Sequence, residues 1–374
     1  MIYIHIPFCK QKCSYCNFHF STSLNFKDEM LRAMKTEIQL RKHELKSKSL
    51  KSLYFGGGTP SILSVDEINS LIDEVLHGFS FEKDIEITLE ANPDDLDKNF
   101  LKQLAGTPVN RLSIGTQSFF EEDLKLMNRA HTASEAEGSI KRAQDFGFEN
   151  LSIDLIYGSP TSNLEIWKEN LHKTIALEVP HISSYALTVE PKTALDNWIS
   201  KGKVKSPKEE EQNREFYYLS DFLKDNGFEH YEVSNFAKPG FYSRHNSAYW
   251  KYQEYLGIGP SAHSYNGFDV RSWNIANNQQ YIKKLGAKLL AKEEEILSKE
   301  DQFNEMIMIG LRTIWGVDMK SLKEKFDERF MEHFKNEIRN KMEEGILIIE
   351  NEHLKIPEKH WFMADGIASD LFMV

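Results

Sequence analysis

Over roughly the first two hundred residues, short runs rich in β-branched and aromatic side chains alternate with longer stretches whose apolar positions recur at helical spacing. The strand-like runs are 2–6, 52–55, 85–89, 111–114, 151–156 and 182–187, and between them 26–45, 65–76, 134–146 and 164–177 read as amphipathic helices. Such alternation predicts parallel strands joined by right-handed crossovers. About six units are visible, fewer than the eight of a complete barrel. The expected fold class is therefore α/β, a partial (β/α)6 barrel of TIM type. Near the C-terminal ends of the strands lie three cysteines, a triple glycine, Glu90, Gln117, Asp154 and Tyr185. Parallel α/β folds build their active sites at that edge.

Farther on the pattern changes. The charged, glycine-poor stretch 285–301 reads as a connection between domains, and helical periods at 302–312, 319–326 and 330–344 precede a hairpin-like run at 346–354. Helices followed by a small β-wing predict a winged-helix-like module. The chain is expected to divide into a barrel over 1–230, a barrel extension and connector over 231–295, and a C-terminal accessory domain over 296–374. The 46 basic and 57 acidic residues leave a net charge of −11, which argues against a nucleic-acid or anionic-membrane surface. No secretory signal pattern and no apolar run of membrane-spanning length occurs, so a soluble, reducing, cytoplasmic setting is expected.

The cysteines sharpen the chemistry. All three, Cys9, Cys13 and Cys16, fall within eight residues, just after the first strand-like run. An odd, tightly spaced set does not make a disulfide framework. Three thiolates suit an iron–sulfur cluster, normally held by four, and leave one iron free for a small molecule. A zinc site with His5 or His19 as fourth ligand is the competing reading, although structural zinc usually clamps two separated ligand pairs. The stretch Gly56-Gly57-Gly58-Thr59-Pro60 follows a strand, where glycine lets backbone approach a ligand closely. It lacks the Lys-Ser/Thr ending of a P-loop and the spacing of a dinucleotide fingerprint. A tight βα turn is the plain alternative.

Together these residues carry a resemblance. His5-Ile6-Pro7-Phe8-Cys9-x-x-x-Cys13-x-Tyr15-Cys16 with the glycine loop is similar to the radical S-adenosylmethionine superfamily. Glu90 to Pro93, Ser113 to Ser118, Asn128 to His131, Asp154 to Gly158 and Gly310-Leu311-Arg312 extend the likeness to the branch containing oxygen-independent coproporphyrinogen III oxidase and its heme-chaperone relatives. The resemblance implies a 4Fe–4S cluster on Cys9, Cys13 and Cys16, with the fourth iron chelated by the amino and carboxylate groups of adenosylmethionine. In the superfamily the reduced cluster cleaves the sulfonium bond and releases a 5′-deoxyadenosyl radical; whether this chain does so is left open. It further implies that Gly56, Gly57 and Thr59 contact the methionine portion, that Tyr3 lies beside the cluster, and that Tyr15 lies near adenine. Glu90, Gln117, Arg129 and Asp154 match further adenosylmethionine-binding positions.

The resemblance also bears on the task. The decarboxylase has a further cysteine two residues after the third, where this chain has Phe18, and a substantial N-terminal extension. Both departures disfavour removal of propionate carboxyls from coproporphyrinogen III, which stays as the alternative function. His245-Asn246-Ser247-Ala248-Tyr249-Trp250 resembles the HNxxYW motif associated with heme binding in the chaperone branch. Histidine is a competent axial ligand for heme iron, and Tyr249 and Trp250 offer flat apolar faces. His245, Asn246, Tyr249 and Trp250 are thus the expected heme residues, with His263 a competing ligand. The expected partners are heme, a heme-acceptor protein, a flavodoxin- or ferredoxin-type electron donor and a second copy of the chain.

Overall fold

The computed structural model of the chain describes residues 1–373. At its centre lie six parallel strands in sequence order: β1 (Ile2–Ile6), β2 (Ser49–Gly57), β3 (Ser80–Ala91), β4 (Arg111–Gln117), β5 (Leu151–Tyr157) and β6 (His181–Ala186). The crossovers contain α1 (Lys27–Arg41), α2 (Val65–Leu76), α3 (Lys98–Leu104), α4 (Glu121–Leu126), α5 (Ala133–Asp145) and α6 (Leu164–Ala176). Two of these helices start where the sequence signals a start. Ser64 with Glu67 and Thr132 with Glu135 form reciprocal capping boxes. Strand order without a switch point is that of a barrel rather than a doubly wound sheet.

Beyond α7 (Ala194–Ser200) and α8 (Glu209–Asp225), the chain completes the sheet at both edges. β7 (Glu229–Glu232) and β8 (Asn235–Ala237) add antiparallel beside β6, and after α9 (Arg244–Tyr249) the strand β9 (Leu256–Ile258) adds parallel to β1. The outermost strands β7 and β9 do not pair, so the barrel stays open. The segment expected as an extension therefore contributes to the main sheet itself, and residue 230 falls inside β7.

Each strand presents two unlike faces. Ile4, Phe55, Leu89, Ile114, Ile153 and Ile182 are buried in one continuous core with the helices. The alternate positions carry Tyr3, Tyr54, Glu90, Arg111, Ser113, Asp154 and Ser183, paired across the strands as Tyr3↔Tyr54, Glu90↔Ser113 and Asp154↔Ser183. This second face lines the barrel interior and is polar, unlike the usual filling of branched aliphatics.

A three-stranded antiparallel sheet, β10 (His263–Tyr265), β11 (Val270–Asn274) and β12 (Lys292–Ile296), follows, with α10 (Asn278–Gly286) between the last two strands. The stretch read as a bare connection thus holds a strand. Lys-Glu-Glu-Glu-Ile has little intrinsic preference for extended structure, but pairing with β11 sets Glu295 opposite Arg271 and overrides it. The C-terminal part has the expected winged-helix order: α11 (Lys299–Leu311), β13 (Val317–Asp318), α12 (Met319–Lys325), α13 (Glu328–Glu343), β14 (Ile348–Glu350) and β15 (His353–Lys355), then α14 (Ala364–Ser369). It is tied to the barrel edge by backbone bonds from Val233 N–H to the Arg312 carbonyl and from Ile314 N–H to the Tyr231 carbonyl, at 3.0 and 3.1 Å. No helix among the described residues is long and apolar enough to cross a membrane.

One buried charge network holds the small sheet against the barrel. Arg41 of α1, 1 % exposed, donates to the Glu37 carboxylate at 2.8 Å, to the Gly257 carbonyl at 2.8 Å and to Ser264 Oγ at 3.0 Å. Glu37 also accepts from Gly259 N–H at 2.9 Å, Asn274 Nδ2 at 2.7 Å and Tyr281 Oη at 2.5 Å. Without Glu37, Arg41 keeps the half-exposed Glu44 carboxylate at 2.8 Å, but the donors of Gly259, Asn274 and Tyr281 are left buried without an acceptor, which is far costlier than losing an exposed pair. Glu37→Ala is expected to lower unfolding free energy by about 3–5 kcal/mol. Glu29→Ala, which breaks the exposed Glu29–Arg32 pair, should cost less than about 1 kcal/mol. Denaturant midpoints measure both, and equal losses would remove the network's special standing.

Candidate functional site

The loop after β1 carries the cysteines, and its course is fixed by backbone bonds rather than by regular structure. Cys9 N–H donates to the Ser21 carbonyl at 3.0 Å, Ser14 N–H to the Met127 carbonyl at 3.0 Å, and Leu195 N–H to the Ser14 carbonyl at 2.9 Å. Gln11 and Asn128 reach across in both directions, at 2.6 and 2.7 Å. Burial pushes the Cys9 thiol up to about 11 and also raises Cys16; each feels the charge of Cys13. The Cys9 and Cys16 thiols therefore need nearby positive charge or a metal to ionise. No three His, Cys, Asp or Glu side chains among the described residues converge to hold a single metal ion. His5 is engaged at both ring nitrogens, by Tyr3 Oη and the His19 carbonyl, whereas His19 is bonded at Nε2 only, to Asn278.

The glycine loop packs directly on this segment. Gly58 N–H donates to the Ile6 carbonyl at 2.8 Å and Thr59 N–H to the Phe8 carbonyl at 2.7 Å. Gly57 has φ +103°, and a Cβ there would lie 2.4 Å from the His5 ring. At Gly56 a Cβ would meet Glu90 Oε1 and the Tyr54 ring at 2.9 Å. The triple glycine is thus required by close approach of β2 to β1 and to the Glu90 carboxylate.

Around the loop the barrel presents opposite charges. Arg129 is half-buried, with Nη1 3.2 Å from Cys13 Sγ and Nη2 donating to Asn92 Oδ1 and the Gly115 carbonyl at 2.7 and 2.9 Å. Its Nε has no partner, and no carboxylate forms an ion pair with it among the described residues. Gln117, held at φ 64°, lies against Gly115 next to the same guanidinium. Tyr15 packs with Met127, Ile156, Leu187 and Leu195 and feels the charges of Arg129, Cys13 and Asp154. Thr59 accepts from Asn92 Nδ2 at 3.4 Å, and its side chain opposes the burial that raises the Cys9 thiol.

Glu90 accepts from Tyr54 Oη at 2.8 Å and from Gly57 N–H at 3.2 Å, and Asp154 accepts from Ser113 Oγ at 3.3 Å. Burial, with Asp154 adding, pushes the Glu90 carboxyl up to about 7; burial pushes Asp154 up to about 6. A half-buried cation without a carboxylate partner beside the thiols, with two destabilised carboxylates across the barrel, is a donor set suited to a charged ligand. It fits a thiolate-held cluster and a zwitterionic sulfonium: the guanidinium faces thiolate or carboxylate, and the two acids face positive charge and hydroxyl groups.

Tyr3, Gly57 and Glu90 also line a cavity of about 700 Å³ that opens beside the cysteine loop. The polar barrel face lines a second cavity of about 50 Å³, shared by Glu90, Asp154, Tyr54, Arg111 and Asn246. The HNxxYW residues are dispersed by α9. His245 is 1 % exposed and lies inside the barrel, its ring 5.0 Å from that of Tyr54. Its Nδ1 bonds Ser52 Oγ at 2.8 Å and its Nε2 bonds Tyr249 Oη at 2.9 Å, while burial holds the ring neutral, down to about 3. Both nitrogens are therefore occupied in this conformation. Asn246 faces the small cavity, Trp250 stacks under the Arg312 guanidinium at 5.6 Å, and only Tyr249 of the four lines the large one. The residues that sequence reasoning passed over are Tyr54, Arg111, Ser113 and Ser183, although the period-2 alternation of their strands marked them, and the wall residues Tyr252, Tyr255, Tyr265 and Arg271, which no local pattern marks.

The sign of the Glu90 shift sets a pH test. A carboxyl whose folded value lies above its unfolded one contributes stability below pH about 4.5 and loses it as pH rises through about 7. In ligand-free protein, the stability of Glu90→Gln relative to wild type should therefore rise by about 2 kcal/mol between pH 5 and 8. A flat difference across that range in paired thermal melts would show Glu90 already ionised.

The sequence model of the Radical SAM superfamily matches residues 3–173, and that of the HemN C-terminal domain matches residues 297–363. The chain is 34% identical to the heme chaperone HemW of Lactococcus lactis, covering 98% of this chain and 95% of that protein. It is also 34% identical to the heme chaperone HemW of Bacillus subtilis, over 92% of each. Among solved structures, coproporphyrinogen III oxidase HemN of Escherichia coli superposes with a TM-score of 0.85 at 24% identity, covering 100% of this chain and 89% of that one. That likeness establishes the shared fold. The chain belongs to the radical S-adenosylmethionine superfamily and, within it, to the HemW family.

Proposed function

We propose that this chain is a cytoplasmic heme chaperone, which binds heme and passes it to an acceptor protein. In this reading Cys9, Cys13 and Cys16 hold a 4Fe–4S cluster. Tyr3, Tyr15, Gly56, Gly57, Thr59, Glu90, Gln117, Arg129 and Asp154 hold adenosylmethionine. What carries the reading is the near full-length likeness to proteins named as heme chaperones. The large aromatic-walled cavity beside the cysteine loop supports it, being of the size that takes cofactors.

When bound, cluster and adenosylmethionine supply one-electron reductive cleavage of a sulfonium bond, with a flavodoxin- or ferredoxin-type protein as electron source. The residues of this chain have simpler duties. Arg129 sets a fixed positive charge 3.2 Å from Cys13 Sγ, and the same charge opposes the burial that raises Cys9 and Cys16. Tyr54 and Gly57 orient the Glu90 carboxylate toward the barrel axis, and Ser113 orients Asp154. Tyr3 and Tyr249 line the large cavity, together with Glu90.

Anaerobic reconstitution is expected to give about four irons and about four sulfides per chain, with the content collapsing in Cys13→Ala. Hemin added to the purified chain should produce a stable Soret band. With coproporphyrinogen III, adenosylmethionine and a reductant, no protoporphyrinogen should accumulate. Catalytic turnover in that assay would replace the chaperone reading with the decarboxylase one.

A further inference from the structure

The large cavity is bounded by the cysteine loop on one side and by the segment from α9 to β11 on the other. Its walls are flat and aromatic: Tyr3, Tyr249, Tyr252, Tyr255 and Tyr265, with Phe18 at 69 % exposure. Five phenol rings around one space are an unusual concentration, and they leave polar capacity unused. Tyr252 Oη is buried and has no hydrogen-bond partner, and Tyr252 itself adopts φ 53°, as does Ser261 nearby at 66°. Left-handed backbone at a tyrosine costs energy that the surrounding fold must sustain. The wall is therefore held in shape for something that is planar, largely apolar and polar at its edge.

Three histidines face this space, and they differ in what their nitrogens do. His5 is engaged at Nδ1 by Tyr3 Oη at 3.2 Å and at Nε2 by the His19 carbonyl at 2.9 Å. His19 Nε2 bonds Asn278 Oδ1 at 2.7 Å. His263, at the start of β10, makes no side-chain hydrogen bond to any described residue. Its ring packs near Trp273 at 6.1 Å. Partial burial and the neighbouring Arg271 lower its proton affinity, which favours the neutral ring that donates a lone pair to a metal.

Arg271 supplies the complementary charge. Its Nη2 donates to Glu305 at 3.0 Å and its guanidinium lies over the Tyr265 ring at 5.6 Å, but its Nε is unpartnered. A carboxylate at the rim of the cavity would find a donor there.

We propose that heme is seated in this cavity with His263 as the axial ligand to iron and Arg271 as the partner of a propionate, so that Tyr249 is the one residue of the HNxxYW motif that touches it. This assignment rests on the heme-chaperone reading above. Ligation forms an Fe–N bond from the neutral imidazole without any change of iron oxidation state. His245, inside the barrel between Ser52 and Tyr249, is then a positioning residue for the Tyr249 ring.

Hemin titration of the full purified chain tests this, read by the Soret band and ferric resonance Raman. His263→Gly should bind hemin at least ten-fold more weakly and lose the imidazole-ligated spectrum, and added imidazole should restore that spectrum. Arg271→Gln should weaken hemin several-fold but leave binding of hemin dimethyl ester unchanged, since the ester has no carboxylate to pair. Circular dichroism of both variants should match wild type, because His263 is exposed and Arg271 is half-buried with one ion-pair partner, Glu305, which glutamine can still reach as a hydrogen-bond donor. If wild type and His263→Gly give the same spectrum and affinity, the ligand assignment is overturned while the chaperone reading stands. If wild type gives no Soret band at all, the heme reading itself falls, and this proposal with it.

Discussion

The fold depends on one buried ion pair that no short-range pattern explains. Glu37 and Arg41 are neighbours on α1, yet their hydrogen bonds run to Gly257, Gly259, Ser264, Asn274 and Tyr281. Those acceptors and donors belong to β9, the turn after it, β10, β11 and α10. A desolvated pair of this kind adds little net stability compared with apolar packing, and its value lies in geometric definition. Each charge tolerates only a small set of partner positions. The small sheet is thereby set at one distance from the first strand, and with it the wall that carries Tyr255, His263 and Arg271.

A second constraint comes from the barrel interior. An open barrel with a polar lining must satisfy buried hydroxyls, acids and imidazoles without bulk water. The chain does this by inserting α9. The Glu86 carboxylate on β3 accepts from Arg244 N–H and His245 N–H at 3.1 and 3.0 Å, satisfying the helix's first donors. His245 then reaches Ser52 and Tyr249. The motif that resembles a heme signature is thus also the floor of the barrel, directly below Tyr54 and Glu90. Glu90 lines both the small cavity inside the barrel and the large one beside it, where Tyr3 and Tyr249 stand with it, so the two spaces share a wall.

Much of this architecture could be read from residue order. All six parallel strands, and each of the four crossover helices expected from apolar spacing, lie within a few residues of where periodicity placed them. The exceptions have causes. β12 is built of Lys and Glu and exists only because β11 offers it a ladder. β7 to β9 are three or four residues long, too short for alternation to stand out. The polar lining was written in the alternation of segments such as Arg-Leu-Ser-Ile-Gly-Thr-Gln, but alternation in a parallel strand does not say that the polar side faces inward.

By itself, then, the sequence determined the barrel, the winged-helix order after it, the cysteine loop and the superfamily, because these follow from local spacing and from residues whose chemistry is specific. Tertiary structure decided how the charged groups are used. It left Arg129 unpaired beside Cys13, destabilised the Glu90 carboxylate through burial near Asp154, and buried His245 while leaving His263 free. Burial and partner geometry arise from contacts between residues up to two hundred or more positions apart, such as Arg41 with Ser264. No one-dimensional pattern encodes the presence or absence of such a partner, and that presence is what separates a histidine engaged at both nitrogens, as His245 is, from one without a side-chain hydrogen bond, as His263 is.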